Sequence, residues 1–273
     1  MSRTIKIHIL HCGQVQVDTA ILFNQNAVNP LAYTGLFRSR KYQVIVPVSA
    51  YLIEHPKGLI LIDTGWHTDM RGNQLRILGP LHYMINKPIL PEGQAVSEQL
   101  SKKAIKPSDI DYVFISHFHS DHISGLKLVN SARSIMTSEE ELTGAQRDRL
   151  RYVHHMWNGV NIKTFHMSPS GYGPCHRSFD LFGDDSVVFV HVPGHTPGLT
   201  ATLIKGNEKF VLLTSDCGYG RKSWEQMILP GVIVNRKQFM QSLQWVGNMA
   251  KESNCLEVVA NHDTEILPHT IEV

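Results

Sequence analysis

Apolar residues fall into short runs along this chain, and several of the runs stop at a polar residue able to bind a metal. Residues 42–53 and 59–63 read as a strand pair joined by a turn at Pro56-Lys57-Gly58. Residues 111–115, Asp-Tyr-Val-Phe-Ile, form a β-branched and aromatic run, and 187–192, 210–214 and 256–260 are apolar strand-like runs. Residues 92–103 read as a helix that stops before Pro107, and Ser138 ahead of Glu139-Glu140-Glu141 marks another helix start. Over 238–251, Phe239, Leu243, Val246 and Met249 share one helical face, which is a core-packing face. The pattern predicts a mixed α/β chain of apolar strands and amphipathic helices. At 273 residues it can bury one good core, so a single domain over 1–273 is expected.

Charge narrows the partners. The formal net charge is +2 with no run of lysine or arginine, so no nucleic-acid footprint is present. Lys6 and His8 interrupt the apolar residues of the N-terminus, so no signal-peptide core is read. No stretch approaches the roughly 20 apolar residues of a membrane span. Cys12, Cys175, Cys217 and Cys255 are scattered without C-x-x-C spacing, which fits a reducing compartment. The expected location is the cytoplasm.

The chemistry is concentrated at residues 116–122, Ser-His-Phe-His-Ser-Asp-His, in the pattern H-x-H-x-D-H. His117, His119, Asp121 and His122 follow directly on the 111–115 strand, and imidazole with carboxylate suits zinc and similar divalent metals. The turn here is expected to pass into a helix at Ile123. The same device recurs downstream. The 187–192 run leads into Pro193-Gly194-His195-Thr196-Pro197-Gly198, the 210–214 run into Ser215-Asp216, and the 256–260 run into Asn261-His262-Asp263. Seven ligands exceed the four of a zinc site and suit two metals sharing one carboxylate.

In order and context these seven residues resemble the metallo-β-lactamase superfamily, and Leu61-Ile62-Asp63-Thr64-Gly65 resembles its preceding strand-end motif. Within it, the chain most resembles the N-acyl homoserine lactonases, the quorum-quenching enzymes. Tyr219 lies three residues after Asp216, where those enzymes carry a catalytic tyrosine, and 260–263 resembles their final His-Asp motif. The resemblance runs from about Val44 to near the C-terminus. It implies a four-layer αββα sandwich with the metal site at one edge of the two sheets. It implies His117, His119 and His195 on one metal, Asp121, His122 and His262 on the other, and Asp216 bridging. The metals expected are two zinc ions, with manganese, iron or cobalt also compatible with these ligands. Asn261 departs from the pattern, standing where a glycine is expected.

The chemistry expected is a metal-activated hydroxide attacking an ester-type carbonyl, foremost that of an acyl homoserine lactone. Asp121 could pass a proton to the leaving group and Tyr219 could hydrogen-bond the substrate. The other reading of Tyr219 is a buried aromatic in a Gly-Tyr-Gly turn. The alternative is another hydrolase of this fold, acting on a thioester, phosphotriester or β-lactam. A di-iron oxygen or nitric-oxide reductase is disfavoured, because those relatives carry glutamate where His119 stands. Asp63 is either a carboxylate behind a ligating histidine or a turn former, and Asp263 has the same two readings. His154, His155, His166 and His176 are read as surface residues, His191 as facing sheet or solvent, and His67 as bordering the site. The apolar residues of 66–97 are an acyl-chain cleft, a homodimer contact or ordinary loop packing. Residues 147–185 look long and irregular.

Overall fold

The computed structural model describes residues 4–24, 29 and 31–273. In chain order the elements are β1 (Lys6–Asp18), α1 (Thr19–Leu22), β2 (Gln43–His55), β3 (Gly58–Ile62), α2 (Gln74–Ile85), β4 (Lys87–Ile89), α3 (Val96–Lys102), β5 (Tyr112–Phe114) and α4 (Ser120–Ile123). Then come β6 (Ser134–Ser138), α5 (Glu139–Arg147), β7 (Ile162–Phe165), β8 (Ser168–Pro169), β9 (Arg177–Asp180), β10 (Val187–His191), β11 (Thr200–Lys205) and β12 (Phe210–Ser215). The chain ends with α6 (Arg221–Glu225), α7 (Arg236–Met249), β13 (Cys255–Ala260) and β14 (Thr270–Glu272).

Two sheets result. One runs β14-β1-β2-β3-β5-β6-β7 with β4 beside β1, and the other runs β13-β12-β11-β10-β9-β8. Strand periodicity of two sorts the apolar residues into layers. Ile60, Ile62, Phe114, Phe189, Val211 and Leu213 meet between the sheets. Leu61 and Val113, one residue out of phase, face the opposite side, where Leu100 and Leu126 cover them. Val190 and Leu212 pack beneath Phe239, Leu243 and Val246 of α7. Three apolar layers between four layers of backbone make the αββα sandwich.

Several expectations need correcting. The turn after β5 becomes helical at Ser120, not Ile123, so Asp121 and His122 sit in a helical turn. Residues 147–185 carry the strands β7, β8 and β9; β7 is the edge of the first sheet, while β9 pairs with β10 and β8 forms the edge of the second. Their period-two signal is broken by turns and by exposed polar faces. His191 is buried, with Nε2 3.0 Å from the Pro197 carbonyl. The 66–97 segment contains α2, whose Leu78 packs in the core along with Met70 and Leu90. The longest surprise is β1, thirteen residues in which Ile7 and Ile9 alternate with Lys6 and His8. Among the described residues no helix is long and apolar enough to cross a membrane.

Candidate metal centre

Five strand exits converge at one edge. β3 delivers Asp63, β5 delivers the 116–122 segment, β10 leads to His195, β12 delivers Asp216 and β13 delivers His262. Ser116 ties three of them together. Its hydroxyl donates to Asp63 Oδ2 at 2.7 Å and accepts from Ser215 Oγ at 2.8 Å, while its amide donates to Asp63 Oδ1 at 2.8 Å. Asp63 and Ser215 both take left-handed backbone, at φ 58° and 51°, an uncommon conformation for residues with side chains that recurs at functional sites.

All seven expected ligands come together in two groups. His117, His119, His195 and Asp216 form one, and Asp121, His122 and His262 the other, each with ligand atoms within 4.8 Å of one another. Asp216 faces both. Its Oδ2 lies 3.3 Å from His195 Nε2 and 3.8 Å from His117 Nε2. Its Oδ1 lies 3.2 Å from His122 Nε2 and 3.4 Å from His262 Nε2. Asp121 Oδ2 is 3.2 Å from His262 Nε2.

The outward nitrogens fix the rings. His122 Nδ1 donates to Asp63 Oδ2 at 2.7 Å, His195 Nδ1 to the Val232 carbonyl at 3.0 Å and His262 Nδ1 to the Pro47 carbonyl at 2.7 Å. His117 Nδ1 lies 3.2 Å from the Ser116 hydroxyl. This is the arrangement by which ligating histidines are oriented, and Asp63 stands where a carboxylate behind the candidate ligand His122 would stand. Asp263 instead accepts from the Glu265 amide at 2.9 Å and serves a turn.

The inward nitrogens fit divalent cations. His119 Nδ1 lies 3.1 Å from His117 Nε2 and 2.9 Å from His195 Nε2. Nitrogens bound at 2.0–2.1 Å around a tetrahedral ion stand about 3.3 Å apart. Burial holds His117 and His119 well below the usual histidine range and brings His195 down to about 4, so these rings are neutral near pH 7. Three lone pairs then converge, which calls for a cation. In the other group burial also acts against charge on His262, but Asp216 and Asp121 outweigh it and carry its pKa up to about 10. His122 is raised in the same way by Asp216, Asp63 and Asp121. Positive charge is wanted among these carboxylates, and a metal supplies it without protons.

Tyr219 is buried beside them. Its hydroxyl donates to Asp216 Oδ2 at 3.1 Å, and its ring stacks on His262 at 5.6 Å. Burial and the neighbouring carboxylates hold the phenol well above its usual pKa, so it remains a donor. A cavity of about 490 Å³ opens over the centre, with His119, Asp121, Asp216 and Tyr219 on its floor. Val15, Val17, Ile21, Leu81 and Ile85 contribute apolar wall, and Arg151 is the lysine or arginine that lines it.

His67 does not border this cavity; its ring accepts from the Asp69 amide and starts a short 3₁₀ turn. His166 and His176 are exposed, and His154 packs against Trp157. Asn261 is buried with Nδ2 3.3 Å from His122 Nε2, so this position brings an amide to the centre where glycine would bring none. Ser116 and the β1 wall escaped sequence reasoning. The alternation of β1 could have revealed the strand, but nothing in it marks a cavity.

A paired His/carboxylate centre at the edge of an αββα sandwich defines a class of dinuclear metalloproteins. Residues 44–228 match the model of the metallo-beta-lactamase superfamily, and the chain belongs to that superfamily. It is 28% identical over 228 residues to the N-acyl homoserine lactonase AttM of Agrobacterium fabrum, covering 81% of this chain and 83% of the relative. It is 25% identical over 273 residues to the N-acyl homoserine lactonase AiiB of Rhizobium rhizogenes, covering 95% and 94%. Among solved structures it resembles an N-acyl homoserine lactone hydrolase with N-hexanoyl-L-homoserine bound at its catalytic metal centre. The TM-score is 0.79 at 22% identity, over 99% of this chain and 100% of the other. It also resembles the dizinc quorum-quenching lactonase AidC, at TM-score 0.64 and 16% identity, over 100% and 95% of the two chains.

Proposed function

We propose that this protein is a dinuclear metallohydrolase that opens the lactone ring of N-acyl homoserine lactones, with zinc as its metal. In this reading His117, His119 and His195 would hold one ion and Asp121, His122 and His262 the other, with Asp216 the carboxylate shared between them. The observation that carries it is Asp216, whose two oxygens face the two ligand groups while Tyr219 donates to one of them at the cavity floor. The AttM and AiiB relatives, the dizinc AidC fold and the apolar cavity wall all support it.

When bound, two such ions supply an activated water and a fixed positive charge for the carbonyl oxygen. The chain's own groups do the rest. The apolar wall takes the acyl chain and excludes water from the floor. The Tyr219 hydroxyl is placed to hydrogen-bond the ester, where developing negative charge strengthens the bond. The Asp121 carboxylate would take the proton released by the attacking water and pass it to the departing ring oxygen. No side chain forms a covalent bond with substrate. The four free thiols support the expected cytoplasmic setting.

The test is pH-stat hydrolysis of a lactone panel, with a thioester and a cephalosporin as controls, on protein of measured metal content. Turnover of acyl homoserine lactones that disappears on chelation and returns with zinc is the expected result. Faster turnover of the thioester or the cephalosporin would overturn the substrate assignment.

A further inference from the structure

Glu141 lies in the first turn of α5, is fully buried, and belongs to neither ligand group. Its Oε2 accepts from Thr196 Oγ1 at 2.6 Å and from the Gly198 amide at 3.0 Å. Its Oε1 accepts from the Phe118 amide at 3.1 Å. Phe118 separates His117 from His119, and Thr196 follows His195. One carboxylate therefore spans the two segments that carry the three histidines of one group. The same turn grips the second segment again, because Ser138 Oγ accepts from the Glu141 amide and donates to the Gly198 carbonyl at 2.8 Å. The approach is so close that a Cβ at Gly198 would stand 2.1 Å from the Glu141 nitrogen. The Tyr152 hydroxyl adds a 3.5 Å contact to Oε1, and the Tyr152 ring packs 5.7 Å from that of His119.

Among the described residues Glu141 has no salt-bridge partner. A buried carboxylate without a cation is unfavourable unless its oxygens are hydrogen-bonded, and an apolar residue would fill this space at less cost. What an apolar residue could not do is join two separate loops. The other ligand group hangs elsewhere, with His122 on Asp63 and His262 on the Pro47 carbonyl.

We propose that Glu141 is a positioning residue for the His117/His119/His195 group, fixing the spacing of the two loops and so the affinity of that group alone for a divalent ion. The inference rests on the dinuclear reading above. Glutamine cannot replace it, because one end of the amide would turn an N–H₂ toward a donor on one of the two loops.

Wild type, Glu141→Gln and Thr196→Val would be compared by stepwise zinc titration in buffers of fixed free zinc, with circular dichroism reporting the fold. Wild type is expected to hold two zinc ions. In Glu141→Gln one binding step weakens by about tenfold or more, the scale for partners lying behind metal ligands, and the other is unchanged. Thr196→Val shifts the same step by less. Anomalous diffraction from Glu141→Gln crystals grown in limiting zinc should place the retained ion among Asp121, His122 and His262. Folded variants holding both ions at wild-type affinity, or losing both equally, would overturn the proposal. If Glu141→Gln does not fold, Thr196→Val decides by the same criteria. Wild type that holds two zinc ions but opens no lactone would defeat the substrate reading and leave this one standing.

Discussion

The hydroxyl of Tyr219 donates to Oδ2 of Asp216 at 3.1 Å, on the side of that carboxylate that faces His195. The phenol thus sits at the floor of the cavity and cannot ionise near neutral pH, because burial and Asp216 raise its pKa. Replacing it with phenylalanine removes one donor and leaves the ring stacked on His262. We expect Tyr219→Phe to keep two metals and lower kcat/KM for acyl homoserine lactones by about 10²-fold, the scale of a lost oxyanion donor. Unchanged steady-state turnover would assign Tyr219 to packing.

Asp63 acts through His122. Its Oδ2 receives both His122 Nδ1 and the Ser116 hydroxyl, and asparagine tolerates the same left-handed backbone. Asp63→Asn should therefore fold, yet present an amide where two donors converge if Nδ2 takes that place. Zinc affinity of the Asp121/His122/His262 group should fall by about 10- to 100-fold, as for other partners behind metal ligands. Competition with a chromogenic chelator measures this, and a wild-type binding curve would make Asp63 only a turn former.

The candidate ligands were legible in the sequence for a physical reason. Each follows an apolar run that had to be a buried strand, and a strand exit is the one place where a short segment can be both rigid and polar. The helix over 238–251 was legible too, since Phe239, Leu243 and Val246 can share a face only at helical spacing, and α7 buries them together. What stayed hidden depends on contacts between distant segments. Glu141 reads as the third acid of a helix start, and only the fold brings Phe118 and Gly198 to it. Val15 and Val17 alternate as any strand would, and their place on the cavity wall follows from β1 pairing with β2. The apolar run in 66–97 divides because the backbone breaks at Gly79 inside α2: Leu78 before the break is buried in the core, while Leu81 and Ile85 beyond it line the cavity.

Ile85 offers a way to test the acyl wall without touching the floor. It is only partly buried, so a larger side chain can extend into the cavity rather than into the core. Ile85→Trp should exclude the far end of a long chain. Displacing about two methylenes at roughly 0.8 kcal/mol each would raise KM by about tenfold. We expect that rise for dodecanoyl homoserine lactone and little change for the butanoyl compound, with kcat preserved for both. An equal effect on both chain lengths would remove this wall from acyl recognition.

Glu141 also predicts how stability depends on pH. Burial pushes its carboxyl up from 4.5 to about 7, against hydrogen bonds from Thr196, Phe118 and Gly198 that pull it down. The folded protein then binds the proton more tightly than the unfolded chain. This stabilisation is complete below pH 4.5 and is lost as pH rises through about 7. Between pH 6 and pH 8 the loss from this one group amounts to about 1 kcal/mol. Urea unfolding of wild type and Glu141→Gln, both stripped of metal by chelation, at the two pH values isolates it, because every other titrating group is then common to both proteins and no difference in bound zinc enters. The stability of wild type relative to the variant should fall by that amount from pH 6 to pH 8. A difference that stays constant would mean that the hydrogen bonds outweigh burial and that Glu141 is ionised throughout.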